Sequence, residues 1–171
     1  ELLAPLDENE LAGLLERAKP MPVHITAAVE LDNGEAFTKK AVSMGATVGL
    51  GHTEATMDEA RKAVEWGVSS FTHTFNAMSP IHHRNPGTML ASLLLDSAWS
   101  EIICDGFHVC PDMVNLLHRE KPEGKLVLIS DSMSATGCPD GDGYSIAGMP
   151  VSVKDGKAYT SDGAIAGSTL N

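Results

Sequence analysis

Apolar positions in the middle of the chain change period twice within about 30 residues, from runs to helical spacing and back. Residues 47–51, TVGLG, form a short apolar run that ends at His52. Met57, Ala60, Ala63, Val64 and Gly67 then recur at helical spacing. Residues 68–74, VSSFTHT, form a second run that carries His73. Strand, helix and strand in that order predict a βαβ unit. Successive strands of such a unit are parallel, and their C-terminal ends lie at one face of the sheet. His52 and His73 are therefore expected to project into one cleft, as a pair suited to ligate a metal. A histidine at a strand end also serves as a hydrogen-bonded structural residue, and the pattern alone leaves both uses open.

The same alternation extends in both directions. Residues 7–19 predict a helix with Asp7 as N-cap, Glu10 three residues on, and Leu11, Leu14 and Leu15 on its apolar side. Pro20 and Pro22 stop it. Residues 23–30 read as a strand, and 35–44 as a helix with Phe37, Ala41, Val42 and Met44 inward and Gly45 as its C-cap. After the loop NAMSPIHHRNPG come an apolar helix at 88–98 and a strand at 100–105. A helix at 111–120 opens on Pro111, and the strand 125–131 ends in Asp131.

Five strands that alternate with helices imply an α/β fold with a parallel sheet. No GxGxxG opens a helix after a strand, so a dinucleotide-binding fingerprint is absent. The chemically capable residues cluster at strand ends instead: His52, His73, Asp105, His108 and Asp131. That distribution predicts a TIM-like (β/α)8 barrel with its site at the C-terminal face. About five of the eight units are present, so residues 1–136 are expected to form a partial barrel and to belong to a longer chain. Residues 137–171 are dense in Gly and Asp, with short alternating runs, and predict a small β element. Lys154-Asp155-Gly156-Lys157 is its hairpin turn.

Charge narrows the range of partners. The 12 basic and 23 acidic residues give a net charge of −11, which argues against nucleic acid and anionic membranes. No apolar stretch reaches the roughly 20 residues of a membrane span. The three cysteines, Cys104, Cys110 and Cys138, have no CxxC spacing, which fits a reducing compartment better than a disulfide framework. Cys104 is expected to be a small buried residue of its strand.

Against this acidic background, His82, His83 and Arg84 form a local basic cluster in the loop beside Asn76. Such a cluster suits a phosphorylated or otherwise anionic small substrate, or is a solvated basic loop. Asp131 is either a turn carboxylate or, beside two metal-binding histidines, a base that takes a proton from an attacking water and returns it to the leaving group. His108 is a surface loop residue or a group that holds a carbonyl oxygen.

The motifs GHTEAT, THTFNAM, RNPG, DGFHV, LISDSMSATG and AIAGSTL occur in this order. Over about residues 45–171 the chain resembles the N-acetylglucosamine-6-phosphate deacetylases of the amidohydrolase superfamily. The first 22 residues carry no such resemblance. The resemblance implies a (β/α)8 barrel with a small β-sandwich. It implies a divalent metal, zinc first, with iron, manganese or cobalt as alternatives. The substrate would be a phosphorylated amino sugar, and the enzyme a cytoplasmic homodimer of amino-sugar catabolism. By resemblance, His52 and His73 are metal ligands and Asp131 is the catalytic Asp. Asn76, Ala77, Arg84 and His108 bind substrate, Arg84 at its phosphate, and Ala166, Gly167 and Ser168 form a loop near it. The family's metal-binding Glu, from an HxEGP-type motif on an earlier strand, has no counterpart here, and Glu30 matches a neighbouring position instead. Little activity is expected from these 171 residues alone. The alternatives are another amidohydrolase acting on a different amide or cyclic amide, and a non-catalytic sugar-phosphate-binding or assembly fragment.

Overall fold

The computed structural model describes residues 5–170. Residues 1–4, at the start of the N-terminal segment 1–22, and Asn171 lie outside the described residues. The elements are α1 (Glu8–Ala18), β1 (His24–Ala27), α2 (Gly34–Ser43), β2 (Thr47–Leu50), α3 (Met57–Trp66), β3 (Ser70–Phe71), α4 (Thr88–Leu94), β4 (Trp99–Ile103), α5 (Pro111–Glu120), β5 (Leu126–Ile129), β6 (Gly141–Ile146), β7 (Met149–Lys154) and β8 (Lys157–Thr160). Five strands form one sheet in the order β1-β2-β3-β4-β5, and β6-β7-β8 form another. The chain divides into two compact units, residues 1–101 with 119–127, and residues 102–118 with 128–171.

In the first unit, β1 runs parallel to β2, β2 to β3, and β3 to β4. Sequential parallel strands with helical crossovers are what the alternating pattern predicts. Val48, Leu50 and Phe71 are fully buried, and Ala41, Ala60, Ala63, Ala91 and Ala98 meet them in one core. Burying each large side chain stabilises the unit by about 1.5–3 kcal/mol. Helix α1 starts where Asp7 accepts the backbone N–H groups of Asn9 and Glu10, at 2.7 and 3.1 Å. The fully reciprocal capping box lies at α3. There Thr56 Oγ1 accepts the N–H of Glu59 at 3.3 Å, and the Glu59 carboxylate accepts the N–H of Thr56 at 2.8 Å. The backbone N–H of Thr56, its hydroxyl and Lys62 together hold the Glu59 carboxyl below the usual range, against a smaller upward effect of burial. Gly67, at φ 118°, ends α3 in the left-handed conformation that glycine adopts without cost.

Several elements are shorter than their patterns suggest: the strands expected over 23–30 and 125–131 run only over His24–Ala27 and Leu126–Ile129. The run 68–74 is strand only over Ser70–Phe71, because the chain turns into the left-handed region at His73 and Phe75. The helix expected over 88–98 ends at Leu94. Beyond it, the Lys121 ammonium donates 2.9 Å hydrogen bonds to the carbonyls of Leu95 and Ala98.

The second unit contains the small antiparallel sheet, in which β7 pairs with β6 and β8. Both hairpin turns, Ala147-Gly148 and Asp155-Gly156, place two consecutive residues at positive φ, as tight primed turns require. Asp140 accepts the N–H groups of Asp155 and Gly156 and ties the second turn down. Val151, Val153 and Ala158 pack with Met133 and Ala135 in a core of their own. Cys104 corrects an expectation: the strand ends at Ile103, both Ile102 and Ile103 are buried, and Cys104 beyond them is exposed.

Candidate metal and substrate site

Strands β2 and β3 lie side by side in parallel register, Gly49 with Ser70 and Leu50 with Phe71. Their C-terminal ends therefore deliver His52 and His73 to the same place. The two Nε2 atoms meet at 2.9 Å, with the rings edge-on at 79°. His73 is buried, 6% exposed, and its Nδ1 faces the Asn76 carbonyl at 3.1 Å. A carbonyl only accepts, so Nδ1 carries the proton and Nε2 of His73 carries a lone pair. The Nε2 of His52 faces it at hydrogen-bond distance. Two imidazoles converging in this way suit a shared cation, a proton or a metal ion.

The backbone at these residues is strained. His52 has φ 50°, His73 φ 33°, Ala77 φ 46° and Asp131 φ 49°. Left-handed conformations are uncommon for residues other than glycine and concentrate at functional sites.

The loop after β3 is locked onto the loop after β2. Thr53 N–H donates to Ala77 O at 3.0 Å, and Ser79 N–H donates to Thr53 O at 3.1 Å. The buried Ser79 hydroxyl donates to Ala55 O and accepts the N–H of Thr88 at 2.7 Å, while Thr88 Oγ1 donates to Ala55 O at 3.0 Å. Gly87 closes the loop by donating to Pro80 O at 3.0 Å, and a Cβ there would collide with Ser79 Oγ. Asn76 is part of the turn, with its amide donating to His73 O at 3.1 Å. Arg84 is exposed at the loop tip. His82 Nδ1 accepts the N–H groups of Arg84 and Asn85, and His83 Nε2 accepts from the Arg84 guanidinium at 2.8 Å. Both rings thus face Arg84 as hydrogen-bond acceptors.

Glu30 Oε1 accepts the N–H of Glu54 at 2.9 Å and so braces the loop two residues past His52. Its Oε2 is buried with no hydrogen-bond partner among the described residues. An unsatisfied buried carboxylate oxygen is costly and points to a partner of donor or cationic character. Among the described residues, no group of three or more His, Cys, Asp or Glu side chains is arranged to hold a metal ion. The two converging histidines fit an imidazole-bound divalent metal, and a further ligand would have to come from elsewhere.

His108, Asp131, Ala166, Gly167 and Ser168 belong to the second unit. Asp131 and the 166–168 segment are brought together there. Ser168 N–H donates to Asp131 O and Met133 N–H donates to Ser168 O, both at 2.9 Å. Gly167 has φ 62°, and a side chain there would stand 3.4 Å from Asp131 O. Ser168 is buried, while Asp131 is exposed. Its carboxylate is therefore open to solvent, with its backbone pinned.

His108 is held by Asp105, a partnership the sequence did not assign. Asp105 Oδ1 accepts the N–H groups of Phe107 and His108 at 2.8 and 2.9 Å, and Oδ2 accepts His108 Nδ1 at 2.6 Å. Burial alone would raise the Asp105 pKa. The N–H groups of His108 and Phe107 and the His108 ring outweigh it and bring it below the usual carboxylate range. The D-G-x-H spacing, an Asx turn at a strand end, is the local signal of this pair.

No protein-family model matches the chain. An N-acetylglucosamine-6-phosphate deacetylase of Lysinibacillus sphaericus is 38% identical over 146 residues, 85% of this chain and 38% of its own length. An N-acetylgalactosamine-6-phosphate deacetylase of Escherichia coli O157:H7 is 34% identical over 171 residues, 100% of this chain and 45% of its own length. A mutant N-acetyl-D-glucosamine-6-phosphate deacetylase of Mycobacterium smegmatis, solved in complex with N-acetyl-D-glucosamine-6-phosphate, superimposes with a TM-score of 0.92 at 34% identity. That match covers 96% of this chain and 43% of the other. The chain thus spans about two fifths of the length of the relatives it matches. The relatives matched in this way are named as sugar-phosphate deacetylases. Over its whole length the chain is similar to part of the N-acetylglucosamine-6-phosphate deacetylases.

Proposed function

We propose that the chain supplies part of the active site of a metal-dependent hydrolase. The reaction converts N-acetyl-D-glucosamine 6-phosphate and water into D-glucosamine 6-phosphate and acetate. The observation that carries this reading is the convergence of His52 and His73 Nε2 at 2.9 Å, from adjacent parallel strands and strained backbones. Those two residues would hold the metal, with a glutamate from an earlier strand outside these 171 residues as a further ligand. A divalent metal, zinc first, with iron, manganese or cobalt as alternatives, supplies Lewis-acid activation of water and of the amide carbonyl.

The remaining chemistry belongs to side chains. Asp131 takes a proton from the attacking water as the new C–O bond forms at the acetamide carbonyl carbon. It then delivers that proton to the sugar nitrogen as the C–N bond breaks. His108 stabilises the developing charge on the carbonyl oxygen. Arg84 pairs with the 6-phosphate, and Asn76, Ala77 and the Ala166-Gly167-Ser168 segment line the sugar. In this reading residues 1–136 are part of a (β/α)8 barrel and 137–171 are its β-rich return segment. The complete enzyme is a cytoplasmic homodimer of amino-sugar catabolism.

The C4 epimer is the specific competitor, since the Escherichia coli relative carries the N-acetylgalactosamine name. Comparing kcat/KM for the two phosphosugars decides between them. Arg84→Ala should raise KM for either phosphosugar and leave the unphosphorylated sugar unaffected. An unchanged preference for the phosphorylated form would remove the phosphate role and favour another amide substrate. Phosphosugar binding without turnover by the complete metal-loaded protein would favour the binding-fragment alternative.

A further inference from the structure

The Asp105–His108 pair has a geometry that its place in the family does not by itself explain. Both side chains are 8% exposed, and both carboxylate oxygens of Asp105 are engaged within one turn. Oδ1 fixes the backbone of the DGFH loop, and Oδ2 fixes the ring. The hairpin turn of the same unit covers this loop, with Lys157 Nζ 4.1 Å from the Phe107 ring centroid. Asp105 and Lys157 are the charged groups beside His108 in the small pocket that these residues line.

An ionised carboxylate can only accept, so Nδ1 of His108 must carry a proton. We infer that Asp105 is a positioning residue for His108: its carboxylate sets the ring's rotation and keeps the proton on Nδ1, leaving Nε2 as the nitrogen that faces substrate. Held in this way, a singly protonated ring presents a lone pair at Nε2, which opposes charge building on the carbonyl oxygen, so the stabilising form is the doubly protonated ring. A doubly protonated ring presents an N–H there to the carbonyl oxygen, with its charge balanced by Asp105. The inference rests on the deacetylase reading for the role of His108, but the tautomer itself does not depend on it.

Asp105→Asn separates the two duties. The amide oxygen can still accept the N–H groups of Phe107 and His108. The amide NH2, however, must donate to Nδ1, which moves the proton of the neutral ring to Nε2. Nitrogen-15 NMR of the His108 ring in the complete protein reads this directly. The wild type should carry its proton on Nδ1 and the variant on Nε2. Turnover of N-acetyl-D-glucosamine 6-phosphate should fall about 10–100-fold in kcat, with KM within about threefold. Asp105→Ser, which keeps an acceptor for the two backbone N–H groups but does not reach the ring, should show the same fall and no fixed tautomer. An Nε2–H tautomer in the wild type would overturn the inference, as would kcat within twofold of wild type in the folded variants. A wild-type protein with the Nδ1–H tautomer and no turnover would instead overturn the functional reading and leave the pairing in place.

Discussion

Replacing Gly51 by alanine is expected to destabilise the first unit and disturb the His52–His73 pair together. A Cβ at position 51 would stand 2.8 Å from Thr72 Cβ and 2.9 Å from Thr26 Cγ2. Thr72 is 8% exposed, its Cβ is fixed by the backbone one residue before His73, and its hydroxyl is 3.0 Å from that of Thr26. Neither contact is the far end of a flexible side chain, so β2 and β3 must move apart or the threonines must leave their rotamers. Overpacking of this kind costs about 1–3 kcal/mol. Losing the hydroxyl–hydroxyl contact adds about 0.5–1.5 kcal/mol. His52 is the next residue, so its Nε2 should move away from that of His73. Urea unfolding measures the first effect, and metal content after dialysis against a chelator measures the second. Adding Thr26→Ser removes the methyl that the new Cβ meets at 2.9 Å and keeps the hydroxyl, so part of the stability should return. A Gly51→Ala protein within about 0.5 kcal/mol of wild type, with unchanged metal retention, would refute the reasoning.

Three further outcomes follow from single contacts. Ser79→Ala strands the buried N–H of Thr88 and should cost about 1–3 kcal/mol in urea unfolding. It should also raise KM for the phosphosugar, because the loop bearing Asn76 and Arg84 is loosened; equal stability and KM would show that this hydroxyl does not hold the loop. Thr56→Ala removes the capping box of α3 and should cost about 1 kcal/mol, with Glu59→Gln recovering none of it; a neutral effect would contradict the cap. Burial pushes the Lys121 ammonium down to about 8, with Asp96 partly opposing and Lys125 adding to the shift. The folded pKa lies below the unfolded value, so the unfolded chain binds more protons between about 8 and 10.5. This group's contribution to stability therefore rises with pH across that window. The neutral amine still has two N–H donors for the two carbonyls it serves. Lys121→Met should remove this rise from the urea midpoint, and identical pH profiles in the two proteins would contradict it.

The elements that could be read from the chain are those with local punctuation. Helices α3 and α5 begin and end where Thr56, Gly67 and Pro111 say they should. The parallel sheet follows from their alternation with apolar runs. The misjudged stretches depend on partners far along the chain. The carbonyl of Leu95, just past the end of α4, is taken by a lysine 26 residues further on, and no signal near Leu94 announces it. Strand β3 loses its second half to a left-handed turn, with Thr74 N–H donating to Glu101 O at 2.7 Å. His52 and His73 were legible because parallel register makes equivalent strand ends adjacent. The acceptor roles of His82 and His83, and the service of Asp105 to His108, were not. Residue type shows that a histidine can be a cation or an acceptor, and only its neighbours decide which.

The most direct test is deacetylation of N-acetyl-D-glucosamine 6-phosphate by the complete protein loaded with zinc, beside its Asp131→Asn variant. Asparagine tolerates the left-handed backbone at position 131, φ 49°, so the variant should fold and bind metal. The account predicts release of acetate and glucosamine 6-phosphate by the wild type, and a fall in kcat of at least about 100-fold in the variant. Equal turnover by the two proteins, or none by a metal-loaded wild type, would contradict it.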